Sequence, residues 1–148
     1  MDASGILASN RPLRILVVDD EPIVLGLMRR TLTDAGHGVL SAMNGFEALE
    51  LAATAVPPVD AVVTDLQMPQ MGGEALAAAL RQADPNLPIL FVSGFSGGLA
   101  PTLPGPFLAK PFTPDQLVSA VGLLVTVPTS KAVWPPESAW SFRTSRSS

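Results

Sequence analysis

Asp19, Asp20 and Glu21 stand directly after an apolar run, Ile15 to Val18, in the stretch "ILVVDDEP". A further acid, Asp65, closes a second such run, "VDAVVTD", while Ser93 ends "LPILFVS" and Lys110 ends "PFLAK". Carboxylates brought to about 4 Å repel by about 4 kcal/mol per pair at an effective dielectric of about 20, so a cluster of them calls for a cation. The chain has no cysteine and no histidine near these positions. An all-oxygen donor set suits a hard cation such as Mg²⁺, which keeps several waters and accepts substrate phosphate. Lysine and serine beside it suit a phosphoryl group, the ammonium neutralising one oxygen and the hydroxyl donating to another. One aspartate is then either ligand or nucleophile. A carboxylate takes a phosphoryl group as an acyl phosphate, and such a transfer needs mostly positioning and charge neutralisation.

The elements that must position these side chains follow from apolar spacing. Strands are expected at 13–18, 38–43, 59–65, 87–93 and 106–110. Helical periodicity occurs at Val24, Leu27, Met28, Thr31, Leu32 and Ala35, at Ala48, Leu51, Ala52 and Ala55, at Leu76, Ala79, Leu80 and Ala83, and at Leu117, Ala120, Val121 and Leu124. "TPDQ" at 113–116 carries a cap, a proline at the first helical position and a capping-box glutamine. Strands alternating with helices, the strands apolar on both faces, imply an α/β fold: a five-stranded parallel sheet with helices on both faces. Ligands of such sheets bind at the carboxyl ends of the strands. Asp19, Asp20, Asp65, Ser93 and Lys110 all fall on that edge.

Composition narrows the function classes. The chain has 148 residues, of which 47% are hydrophobic, enough for one domain with its own core. No apolar run approaches the ~20 residues that cross a bilayer, so a cytoplasmic protein without membrane contact is expected. A net charge of −4 argues against direct binding of nucleic acid. The charge is uneven: residues 127–148 hold Lys131, Arg143, Arg146 and Glu137, a balance of +2, against −6 for the rest.

Taken together, "VVDDEP", "VVTDLQMPQMGG", "FVSG" and "FLAKPF" resemble the receiver domain of two-component response regulators over residues 13–126. The resemblance implies Asp65 as phosphoacceptor and Mg²⁺ held by Asp20, Asp65 and the Gln67 carbonyl, with Asp19 acting through water. It also implies Lys110 as phosphate partner, Ser93 as switch hydroxyl, Phe107 as switch aromatic and a cis Lys110–Pro111 bond. A sensor histidine kinase or a histidine phosphotransfer protein would be the phosphodonor. Such a module is a signalling phosphoacceptor rather than an enzyme.

Simpler readings stand beside these. Acids at strand ends also cap helices, but caps need no lysine and serine on the same edge. Glu21 fits the favourable first turn of a helix and is not counted as a ligand. His37, after Gly36, fits an exposed helix end, and Phe107 fits a core strand. Two alternative functions are a receiver-like scaffold independent of phosphorylation and an aspartyl-nucleophile phosphatase of the haloacid dehalogenase kind. The latter wants acids alternating as D-x-D, whereas Asp19 and Asp20 are adjacent.

Two segments depart from the family pattern. Residues 94–106 hold four glycines and three prolines, so a fourth helix there is expected to be short or irregular. Ser93 to Lys110 is only 17 residues, a compact connection that looks more like standalone or hybrid-kinase receivers than those fused to DNA-binding domains. A flexible N-terminus at 1–12 and a disordered Pro/Ser-rich tail at 127–148 are expected to flank the domain.

Overall fold

The structure, a computed structural model, describes residues 12–94 and 105–126. Within them lie five strands, β1 (Arg14–Val18), β2 (Gly38–Ala42), β3 (Ala61–Asp65), β4 (Ile89–Ser93) and β5 (Phe107–Ala109). Four helices accompany them: α1 (Pro22–Asp34), α2 (Gly45–Thr54), α3 (Gly73–Ala83) and α4 (Pro114–Thr126). The strands form one sheet in the order β2-β1-β3-β4-β5, every neighbouring pair parallel. The expected α/β fold is therefore present. The extreme N-terminus, most of the 94–106 crossover and the 127–148 tail lie outside the described residues.

Alternation along each strand divides the core in two. Ile15 and Val17 point to one face, where they meet Leu25, Met28 and Leu32 of α1 and Leu117, Val121 and Leu124 of α4. Leu16 and Val18 point to the other, against Ala48 of α2 and Leu76 and Leu80 of α3. Ile15 to Val18 are all fully buried, each side chain contributing about 1.5–3 kcal/mol. A parallel strand covered on both sides is apolar throughout for this reason.

Strand ends match the expected ones to within about two residues, and the stripes of α1 and α3 differ from the expected ones at single positions. In α1 the buried positions are Leu25, Met28, Thr31 and Leu32, while Leu27 is 43% exposed and Ala35 is the C-terminal cap. In α3, Ala77 is buried and Ala83 exposed. The α4 stripe falls where expected. Its start is a capping box: the Gln116 N–H donates to Thr113 Oγ1 at 3.1 Å, and the Thr113 N–H to Gln116 Oε1 at 2.9 Å.

Candidate functional site

β1 pairs with β2 on one side and β3 on the other, and the crossovers from these strands pack on opposite faces of the sheet. Beyond the ends of β1 and β3 the chain therefore diverges and opens a crevice. Asp19 and Asp20 leave β1 into it, and Asp65 closes β3 beside them. One carboxylate oxygen from each lies within 4.8 Å of the others.

Backbone bonds hold each side chain. The Asp19 N–H donates to the Ala42 carbonyl at 3.2 Å, extending the β1–β2 ladder by one residue. Asp19 Oδ1 accepts the Glu21 N–H at 2.9 Å, which shapes the entry to α1. Asp19 Oδ2 is buried without a hydrogen bond, and the Lys110 ammonium meets it as an ion pair at 3.0 Å. Asp65 Oδ1 accepts the Gln67 N–H at 3.3 Å, and its Oδ2 lies 3.5 Å from Lys110 Nζ. Lys110 is positioned by its own N–H, which donates to the Ser93 carbonyl at 2.7 Å. Its peptide bond to Pro111 is cis, as is Val56–Pro57.

The loop after β3 closes tightly on Asp65. Gly73 opens α3 with its N–H on the Leu66 carbonyl at 2.9 Å, and a Cβ there would collide with the Asp65 carbonyl oxygen and reach 3.0 Å from Leu66 Cα. Only glycine admits so close an approach. Gln70, with φ of 72°, turns the same loop in the left-handed region.

Electrostatically the crevice is short of positive charge. Lys110 faces Asp19, Asp65 and Glu21, the last at 3.2 Å, and Asp20 adds a fourth acid. Burial, then the charge of Asp19, pushes the Asp65 carboxyl up to about 6, against the opposing pull of Lys110 and the Gln67 N–H. Burial works to lower the Lys110 ammonium, but Asp19, Asp65 and Glu21 outweigh it and hold it above the ordinary lysine value. The donors fit a small hard cation: three carboxylates with oxygens within 4.8 Å of one another, the buried Asp19 Oδ2 among them met only by the Lys110 ammonium.

Of the residues singled out in the sequence, Asp19, Asp20, Asp65 and Lys110 converge. Ser93 is buried at the end of β4, opposite Ala109 in register. The Gln67 side chain points to solvent. Phe107 lies two positions back from Ala109, in register with Phe91 and half-buried against the core beneath α2 and α3. Glu21 is a correction: it stands at the N-cap position of α1 without a side-chain capping bond and reaches Lys110 instead. Its spacing from the acids signals the helix start, but nothing in local sequence ties it to a lysine 89 residues away.

Comparison with known proteins gives this crevice relatives. A family model described as the response regulator receiver domain matches residues 15–122. The sensor kinase CckA of Brucella abortus is 38% identical over 112 residues, covering 72% of this chain and 12% of CckA. The response regulator MprA of Mycolicibacterium vanbaalenii is 41% identical over 124 residues, covering 77% of this chain and 51% of MprA. This chain thus spans about half of one of these relatives and about an eighth of the other, and the two include both a kinase and a response regulator. Among solved structures, a receiver protein from Sinorhizobium medicae superposes with a TM-score of 0.68 at 36% identity, covering 80% of this chain and 98% of its own. The receiver domain of the hybrid histidine kinase CckA gives 0.62 at 33% identity, covering 76% and 98%. The chain belongs to the response regulator receiver domain family of two-component signalling.

Proposed function

We propose that this chain is a phosphoacceptor module of a two-component phosphorelay, with residues 13–126 as the receiver unit and Asp65 as the residue modified. The phosphodonor is a sensor histidine kinase or a histidine phosphotransfer protein, in the cytoplasm. An Asp65 carboxylate oxygen attacks phosphorus, the bond from phosphorus to the donor's imidazole nitrogen breaks, and the imidazole leaves. Bound Mg²⁺ would offset the negative charge shared by the carboxylates and the incoming phosphoryl group. Asp20, Asp65 and the Gln67 carbonyl would hold it, with Asp19 reaching it through water. Lys110 then exchanges a carboxylate partner for a phosphoryl oxygen, Ser93 donates its hydroxyl to another, and Phe107 is the switch aromatic. The product is the chain's own modified side chain, so the module signals rather than turns over a substrate.

The observation that carries this reading is Asp65 itself: 5% exposed, at a strand end, with two further acids in ligand range and an ammonium 3.5 Å from its oxygen. Incubation with a small phosphodonor and Mg²⁺ should add about 80 Da by intact mass. Omission of Mg²⁺ and the Asp65→Asn substitution should each abolish the gain. Failure of the wild-type chain to label, even with quenching fast enough to catch a short-lived product, would support a phosphorylation-independent scaffold.

A further inference from the structure

At the edge of the sheet away from the carboxylates, α2 and α3 leave an apolar cavity of about 370 Å³ between them. Its cause lies in the sequence. Ala52 and Ala53 near the end of α2 face Ala79 and Ala83 near the end of α3, so no long side chain fills the space. Val59 and Leu87, just before β3 and β4, also line it, and Asp84 supplies the one charge. Unfilled apolar surface of this kind forgoes dispersion contacts and calls for an occupant.

We propose that this groove is the docking site of the chain's own C-terminal segment, residues 133–142, "VWPPESAWSF". Reach supports that occupant. α4 starts at Pro114, beside Lys110, and runs back along the sheet, so Thr126 delivers the chain to the same edge as the groove, on the opposite face. Crossing a sheet and two helix layers spans roughly 20 Å. Fourteen residues from Thr126 to Trp140 extend to about 45 Å. Chemistry supports it as well: the segment holds Trp134, Trp140 and Phe142, with Arg143 next to them, matching an apolar groove whose one charge is the carboxylate of Asp84. The tail balance of +2 also opposes the −6 of the remaining chain.

Trp134 and Trp140 are the only tryptophans and the chain has no tyrosine, so intrinsic indole fluorescence reads this segment alone. In the full chain, emission should lie to the blue of a free peptide of residues 127–148 and resist acrylamide several-fold better. Ala53→Arg with Ala83→Arg, both at exposed helix positions, should shift it to the free-peptide value while far-ultraviolet circular dichroism stays unchanged. Solvent-exposed emission in the native chain, or a blue-shifted emission that the double substitution leaves in place, would overturn the assignment. So would a blue shift lost on dilution in parallel with a sedimenting dimer, which would give the groove to a second copy.

Discussion

Asp65 accepts one backbone N–H, faces one ammonium and sits among acids, and burial tips that balance toward the protonated form. Its carboxyl is pushed up to about 6 from 3.8. The folded state therefore binds this proton more tightly than the unfolded chain. Its contribution to stability is full below about pH 4, falls as pH rises, and is lost above about pH 6, a change of about 2–3 kcal/mol. In metal-free buffer, Asp65→Asn should gain stability relative to wild type across that window, measured by urea unfolding at successive pH values. A difference that does not vary between pH 4 and 6 would contradict the crowded-carboxylate description. The acids, Ser93 and Lys110 were legible in sequence because each ends an apolar run. The partnership of Glu21 with Lys110 was not, being long-range, and neither was that of His37. The His37 ring, expected at an exposed helix end, accepts the Leu13 N–H at Nδ1 at 3.0 Å, and burial lowers its pKa.

Glycines at two helices separate close approach from mere flexibility. Gly73 at the start of α3 touches the backbone of Asp65 and Leu66, whereas a Cβ on Gly26 inside α1 meets nothing within 4 Å. Gly73→Ala should cost about 1–3 kcal/mol by forcing the loop off Asp65, while Gly26→Ala should stabilise by about 0.4–1 kcal/mol. Chemical denaturation of both variants checks this, and equal effects would remove the steric role of Gly73. Element positions were legible because period and caps agree, most fully in α4, where Thr113 and Gln116 reciprocate. Helix phase was less so. α1 has apolar residues at 23, 24, 25, 27 and 28, nearly all around its axis, and only packing against β1 and α4 selects Leu25 over Leu27.

For the whole molecule, alternating strands and helices gave the parallel sheet and the edge that carries the site, since crossovers in such sheets follow few rules. Among the described residues no helix is long and apolar enough to cross a membrane. A cation that binds the native crevice and not the unfolded chain should raise the melting temperature, by about 2.7 kcal/mol of stability at a hundredfold excess over Kd. Asp20→Asn should reduce that Mg²⁺ response. An undiminished response would remove Asp20 from the ligand set.

Hydride trapping tests the modified residue most directly. After incubation with a small phosphodonor and Mg²⁺, borohydride reduces an acyl phosphate to the alcohol, converting a phosphorylated aspartate to homoserine, which peptide mass spectrometry locates. Homoserine at position 65 alone, absent without Mg²⁺, is the expected result. Homoserine at position 19 or 20, or at 65 irrespective of Mg²⁺, would contradict the assignment of acceptor and ligands.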